Sequence, residues 1–302
     1  MREERIAALD IGGTRIKACL FAGGTLTLQR EADTPAKEGA GAVLEQAASL
    51  LEEFLPFDAI GISTAGQVDV PTGTIRYANE NLPGYTGTDL RGFFAARFGV
   101  PCAVMNDAYA AALGEGVCGA AKGVSDYLCI TYGTGVGGGV VLGGKPYYGA
   151  GGSANVLIGG LVAHPSQLRA GDPFAGTYER CASATALVAA AMQLDPALCN
   201  GREVFARISE PQVQAVVDRW INEVTAGLLS LLALFNVPLL VLGGGVLEQP
   251  YVSAEVEKRL RALAIPGFET VRLAAAQLGN AAGLYGALQI AREQLSALPE
   301  KG

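Results

Sequence analysis

Three glycine-rich turns constrain this chain more than any other feature, because each one directly follows an apolar, strand-like run. They occupy residues 10–14, 131–139 and 242–246. Glycine has no Cβ and adopts positive φ at little cost, so successive backbone N–H groups in such turns can point at a phosphate. The turns therefore predict anion sites at strand ends, although each one alone also fits a plain hairpin turn.

The patterns around these turns alternate between strand and helix. Residues 5–21 predict a β-hairpin, and apolar spacing predicts a helix near 43–54 before a buried strand at 59–63. A second cycle follows, with strands predicted at 127–131, 139–142 and 239–242, and helices at about 182–194, 211–235, 252–264 and 280–296. This alternation predicts an α/β fold.

Length and composition limit the class of protein. The chain has 302 residues, of which 50% are hydrophobic and 17% are charged, so it is long enough for two packed domains. A net charge of −7 argues against a nucleic-acid partner, because such binding depends on clustered Lys and Arg. Six scattered cysteines and the lack of a signal-peptide pattern favour a cytoplasmic protein.

One uncharged stretch, residues 226–242, has the length of a short membrane span. Asn236 and Pro238 interrupt it, and proline ends a helix by removing an N–H donor. We therefore expect a buried helix followed by a buried strand, and no membrane partner.

Two motif matches fail on their context. Residues 133–138 fit G-x-G-x-x-G, but a strand is predicted where a dinucleotide site needs a helix. Residues 139–145 fit G-x-x-x-x-G-K, but Pro146 stands where a hydroxyl should bind Mg²⁺. The only histidine, His164, has no serine placed for a hydrolase triad, and no closely spaced zinc ligands are evident.

Two aspartates fit the needs of phosphoryl transfer, which requires a base, a metal and donors for the developing charge. Asp10 ends a strand before the first glycine turn, where it could hold Mg²⁺ directly or through water. Asp107 lies where a strand gives way to a helix. The structural alternatives are an Asx turn for Asp10 and an N-cap for Asp107.

Together these motifs resemble the ROK family of repressors, open reading frames and sugar kinases, within the actin-like ATPase-domain superfamily. Seven ordered stretches carry the resemblance: 9–14, 61–69, 81–84, 106–108, 133–139, 242–246 and 278–283. The resemblance implies two actin-like (ribonuclease H-like) α/β domains with a cleft between them, formed by residues 1–117 plus 289–302 and by residues 118–288. It also implies an ATP- and Mg²⁺-dependent kinase for the 6-hydroxyl of a hexose or hexose derivative, and family members are often homodimers.

The resemblance assigns roles residue by residue. Asp107 becomes the general base, and Asn81, Asn106 and Gly66 contribute to the sugar site. It places Asp10, Gly12, Gly13, Thr14, Thr134 and Gly135 around the phosphates and Mg²⁺. It places Gly243, Gly244 and Gly245 near the adenosine.

The chain also departs from the family pattern. Leu157-Ile158-Gly159-Gly160 stands where members usually have Glu-x-Gly-His, which removes two sugar contacts and predicts a larger or less polar acceptor. Residues 174–181 keep only a Glu and a displaced Cys181 from the usual cysteine cluster, so we expect no structural zinc. The alternative function is a non-catalytic sugar or nucleotide sensor that keeps the kinase fold.

Overall fold

The computed structural model describes residues 3–149 and 155–297. Its strands are β1 (Arg5–Ile11), β2 (Arg15–Ala22), β3 (Thr25–Asp33), β4 (Ala59–Thr64), β5 (Gln67–Asp69), β6 (Thr74–Tyr77), β7 (Cys102–Asn106), β8 (Tyr127–Tyr132), β9 (Val136–Leu142), β10 (Lys145–Pro146), β11 (Leu239–Gly243) and β12 (Arg272–Ala275). Its helices are α1 (Ala40–Glu52), α2 (Leu90–Phe98), α3 (Asp107–Cys118), α4 (Tyr178–Ala182), α5 (Ala184–Leu194), α6 (Gly201–Ala206), α7 (Pro211–Phe235), α8 (Pro250–Leu263) and α9 (Ala282–Ser296). The predicted α/β alternation is confirmed.

The chain divides into two compact units. The first contains Met1–Ser125, Gly139–Val156 and Asn280–Gly302, and the second contains Asp126–Gly138 and Leu157–Gly279. The domain limits expected from the family resemblance stay a prediction, and their last residues, 298–302, lie outside the described part of the chain.

A five-stranded sheet in the order β3-β2-β1-β4-β7 organises the first unit. Alternate side chains of β1 point to opposite faces, so Leu9 joins the core with α1 and Ala8 joins the core with α9. Gly61 of β4 lets α9 approach closely, because a Cβ there would collide with the carbonyl oxygen of Ala287. The predicted hairpin at 5–21 is confirmed by the antiparallel pairing of β1 with β2.

The parallel pairing of β1 with β4 and of β4 with β7 places the functional residues. Asp10 pairs with Ser63, and Thr64 pairs with Asn106, so the three strands end at one edge of the sheet. The carboxyl ends of parallel strands are where open α/β sheets bind ligands. The fold therefore brings Asp10 and the start of α3 to the same edge.

The second unit is built on β8, β11 and β12, which pair in parallel in the order β8-β11-β12. The uncharged stretch is confirmed as a helix followed by a strand, since α7 ends at Phe235, Asn236 turns the chain at φ 46°, and β11 is buried. Across residues 3–149 and 155–297, every helix is too short or too polar to span a bilayer. Strand β9 begins at Val136, three residues before the predicted start.

Candidate functional site

Asp10 lies half-buried at the end of β1, and Ser63 holds its carboxylate. Ser63 Oγ donates a hydrogen bond of 2.7 Å to Asp10 Oδ1. Burial raises the pKa of Asp10, while the Ser63 hydrogen bond and the charge of Lys17 lower it. A carboxylate that is costly to ionise gains from a nearby cation, and Mg²⁺ is usually held by one or two carboxylates together with substrate phosphates. The carboxylate of Asp10 therefore fits a magnesium ligand.

Asp107 is the first residue of α3, and its neighbour Asn106 is the N-cap. Asn106 Oδ1 accepts hydrogen bonds from the backbone N–H groups of Ala108 at 3.0 Å and Tyr109 at 3.3 Å. The cap position considered for Asp107 is thus filled by the preceding residue. An Asn cap satisfies two N–H groups that would otherwise lack partners, and it leaves Asp107 in the first helical turn.

Asn106 also fixes the Asp107 carboxylate. Asn106 Nδ2 donates to the carbonyl oxygen of Gly66 at 2.8 Å and to Asp107 Oδ1 at 2.9 Å. The backbone N–H of Ala108 donates to the same Oδ1 at 2.7 Å. Because both donors bind one oxygen, the rotation of the carboxylate is set by the protein.

The surroundings of Asp107 change its acidity. Asp107 is exposed to solvent by surface area, but protein atoms crowd its carboxyl and reduce its hydration. This crowding is the main reason that the pKa of Asp107 is raised to about 6, and the negative charge of Asp10 raises it further while the Ala108 N–H lowers it. A like charge and a loss of hydration both favour the protonated carboxyl. Asp107 therefore changes its protonation state close to neutral pH.

The first glycine turn packs against Asn81, one of the predicted sugar residues. A Cβ on Gly13 would lie 3.3 Å from Asn81 Cβ, so the absence of a side chain allows this approach. Thr34 Oγ1 donates to the carbonyl oxygen of Gly12 at 2.7 Å and braces the turn, and Thr14 is exposed. Gly66 has φ 95°, and a Cβ there would lie 2.7 Å from the carbonyl oxygen of Tyr77, so this position requires glycine.

In the second unit, the other two glycine turns lie at neighbouring strand ends. Thr131 of β8 pairs with Gly243 of β11, so both turns leave the same sheet edge. Gly244 has φ 106°, and a Cβ there would collide with the carbonyl oxygen of Tyr132. Thr134 is exposed in its turn, where its hydroxyl is available to a ligand.

Glu179 of α4 supports the turn after β8. Glu179 Oε2 accepts a hydrogen bond of 3.1 Å from the backbone N–H of Val136 and lies against Gly135. Gly159 packs on the carbonyl oxygen of Val136, which brings the 157–160 turn to the same place, where the side chain of Leu157 is 50% exposed. The sequence showed an acidic residue at 179, but nothing local linked it to residue 136.

The sequence-predicted residues thus fall into two groups. The first unit contains Asp10, Gly12, Gly13, Thr14, Gly66, Asn81, Asn106 and Asp107, and the second contains Thr134, Gly135, Gly243, Gly244 and Gly245. Sequence reasoning missed the role of Ser63, although a polar residue near the end of an apolar strand was a usable signal.

This α/β fold, with carboxylates and glycine turns at the ends of parallel strands, defines a protein with the actin-like ATPase fold. The chain belongs to the ROK family, whose family model matches residues 6–294.

Individual relatives cover nearly the whole chain. The N-acetylmannosamine kinase of Haemophilus influenzae (strain PittEE) is 30% identical over 302 residues, covering 98% of each chain. The ROK hexokinase of Thermus thermophilus is 34% identical with a TM-score of 0.84, covering 97% of this chain and 99% of that one. A ROK family glucokinase from Streptomyces griseus, solved with glucose and AMPPNP, is 29% identical with a TM-score of 0.77, covering 96% and 99%.

Proposed function

We propose that this chain transfers the γ-phosphoryl group of ATP to the 6-hydroxyl of a hexose or hexose derivative, with Asp107 as the general base. The broader activity follows from the family and its named kinases: the chain is an ATP-dependent sugar kinase. The position of the hydroxyl and the identity of the base are the proposed part.

The proposal rests on the raised pKa and the fixed orientation of the Asp107 carboxylate. A general base works best when its pKa lies near the working pH, and the pKa of Asp107 is raised to about 6. Its carboxylate is held by Asn106 Nδ2 and the Ala108 N–H, so it can meet a hydroxyl in one orientation. In this scheme Asn106 positions the base in addition to any contact with the sugar, while Asn81 and Gly66 line the sugar site.

Asp10 serves the nucleotide in the same scheme. Its carboxylate would hold Mg²⁺, directly or through water, and the ion would neutralise charge on the phosphate oxygens when bound. The three glycine turns offer backbone N–H groups to ATP, for example those of residues 13–14 and 134–135, whereas the N–H groups of Gly12 and Gly133 donate within their own turns.

Asp107→Asn tests the base. We expect kcat to fall roughly 10²–10⁴-fold with nucleotide affinity nearly unchanged, since the amide cannot take a proton. Asp89→Asn is the matched control, because Asp89 is another acidic residue at a helix N-terminus of the first unit, accepting from the Gly92 N–H. Full turnover by Asp107→Asn would reject the assignment.

In this proposal the sugar that accepts the phosphoryl group differs from a simple hexose on the side that faces Leu157 and Gly160. Leu157 presents a half-exposed apolar side chain, and a Cβ on Gly160 would lie 2.9 Å from Leu157 Cδ2, so the two replacements fit each other. An apolar surface beside the sugar favours an acceptor that carries an apolar or bulky group there.

ADP release measured over hexoses, N-acetylhexosamines and β-glucosides tests the acceptor, and we expect a substituted sugar to exceed glucose in kcat/KM. Leu157→Ala should reduce that preference, whereas Leu168→Ala, at another exposed leucine of the second unit, should not. No sugar-dependent ADP release with any of these sugars, even at high protein concentration, would favour the sensor. The expected homodimer and cytoplasmic location stay predictions from the sequence.

A further inference from the structure

A second cluster of reactive side chains lies in the second unit, in residues that the proposed kinase site does not use. His164, Cys181 and Glu223 each offer one ligand atom, and these atoms all lie within 4.8 Å of one another. His164 Nε2 lies 3.0 Å from Glu223 Oε2. The three residues come from a loop, from α4 and from the middle of α7, so only the tertiary fold brings them together.

We propose that His164, Cys181 and Glu223 bind a divalent metal ion with the preference of Zn²⁺, and that this ion fastens α4 and the 161–177 loop to α7. An imidazole nitrogen, a thiolate and a carboxylate are the three ligand types that Zn²⁺ uses in proteins. A thiolate and a carboxylate also match the two positive charges of the ion. This ligand set differs from the cysteine cluster that the family resemblance implies and that the chain lacks.

The distances suit the ion after a small movement. Tetrahedral zinc with bonds of about 2.0–2.3 Å separates its ligand atoms by roughly 3.3–3.8 Å. The three ligand atoms lie within 4.8 Å of one another, so side-chain rotations that move them by about 1 Å bring them to that spacing. The side chains of His164 and Glu223 are 36% and 33% exposed, so a fourth position is open to water. The thiol proton of Cys181 leaves to solvent as the metal binds.

The backbone around His164 is already fixed. The N–H of His164 donates to the carbonyl oxygen of Gly176 at 2.9 Å, and the N–H of Gln167 donates to the carbonyl oxygen of His164 at 3.0 Å. Gly176 has φ 70°, and a Cβ there would collide with the carbonyl oxygen of His164. A preformed loop reduces the ordering that metal binding would otherwise require.

The proposed site has a consequence for the rest of the unit. Cys181 and Glu179 are both in α4, and Glu179 accepts the Val136 N–H in the turn after β8. A metal ion that fixes α4 would therefore stabilise that turn indirectly. Zinc at about 100-fold excess over Kd should raise the unfolding temperature by roughly 5 °C.

Tag-free full-length protein, stripped with a chelator and titrated with Zn²⁺, tests the proposal. We expect one ion per chain, and because His164 is the only histidine, its imidazole NMR signals report binding directly. Cys181→Ser and Glu223→Gln should each weaken binding at least tenfold. Cys199→Ser, at an exposed cysteine outside the cluster, should leave it unchanged.

A second readout covers variants that fold poorly. Wild-type protein loaded with Co²⁺ should show the intense visible bands of a tetrahedral site and a thiolate charge-transfer band. Their absence, or unshifted His164 signals at saturating Zn²⁺, would mean that the cluster is only a hydrogen-bonded trio and would overturn the proposal.

Discussion

Ser63 and Asp10 are register partners on two parallel strands, and the serine hydroxyl donates a 2.7 Å hydrogen bond to the aspartate carboxylate. The hydrogen bond stabilises the ionised form of a carboxyl whose pKa burial raises. Ser63 therefore keeps Asp10 oriented and charged at the sheet edge where the candidate site lies.

Ser63→Ala should weaken the binding of Mg²⁺ by Asp10, the proposed magnesium ligand. A hydrogen bond to a charged group is worth about 1.5–3 kcal/mol, so we expect the Mg²⁺ concentration for half-maximal rate to rise about tenfold or more. A Mg²⁺ titration of initial rates measures this change. Ser183→Ala removes another buried serine, in the second unit, and should lower stability without moving the Mg²⁺ midpoint. An unchanged midpoint in Ser63→Ala would contradict the role of Ser63.

The rate should depend on pH through Asp107. Its carboxyl has a pKa raised to about 6, and only the ionised form can accept a proton. We expect log kcat/KM to fall with a slope of about one per pH unit below pH 6 and to be level above it, measured with initial rates at saturating Mg²⁺. A level profile down to pH 5 would exclude Asp107 as the base.

The same raised pKa predicts an effect on stability. The pKa of the Asp107 carboxyl is higher in the folded protein than its ordinary value of 3.8, so this carboxyl stabilises the fold only while it is protonated. That contribution is complete below pH 3.8 and is lost as the pH rises through about 6. Asp107→Asn should therefore unfold at a higher temperature than wild type at pH 8, with a smaller difference at pH 5. An equal difference at both pH values in thermal unfolding would contradict the raised pKa.

Asn106→Ala should damage both stability and catalysis. It removes an N-cap, which costs about 0.5–2 kcal/mol of stability, and it releases the carboxylate of Asp107. Asn200→Ala is the control, because Asn200 caps α6 by accepting the Glu203 N–H at 3.0 Å. Thermal unfolding and kcat measured together should show a stability loss in both variants and a fall in kcat, by about tenfold or more, only in Asn106→Ala.

Adjacent glycines in the third turn should respond differently to alanine. Gly244→Ala puts a Cβ onto the carbonyl oxygen of Tyr132 at φ 106°, so the turn must move, whereas a Cβ on Gly245 meets open space. Backbone strain of this kind costs roughly 1–3 kcal/mol. Calorimetric titration with AMPPNP should show weaker binding by Gly244→Ala and nearly normal binding by Gly245→Ala. Equal affinities would remove this turn from the nucleotide site.

The sequence predicted those parts of the site that depend on neighbours in the chain. Asp10 was identified because it ends an apolar strand before a glycine turn, and Asp107 because it stands where a strand meets a helix. Even there, the local pattern did not decide which residue caps α3, since Asn and Asp are both good caps and the backbone geometry selects Asn106.

By itself, then, the sequence determined the first hairpin, the longer helices and the glycine turns, because hydrophobic periodicity and glycine's freedom of φ act over a few residues. Short elements such as β5, β6 and α2 were not predicted. Only the tertiary structure decided the contacts between distant segments. Ser63 reaches Asp10 across 53 residues, and His164 reaches Glu223 across 59. Strand register and helix packing set such pairs, and these depend on the whole buried core rather than on any local pattern.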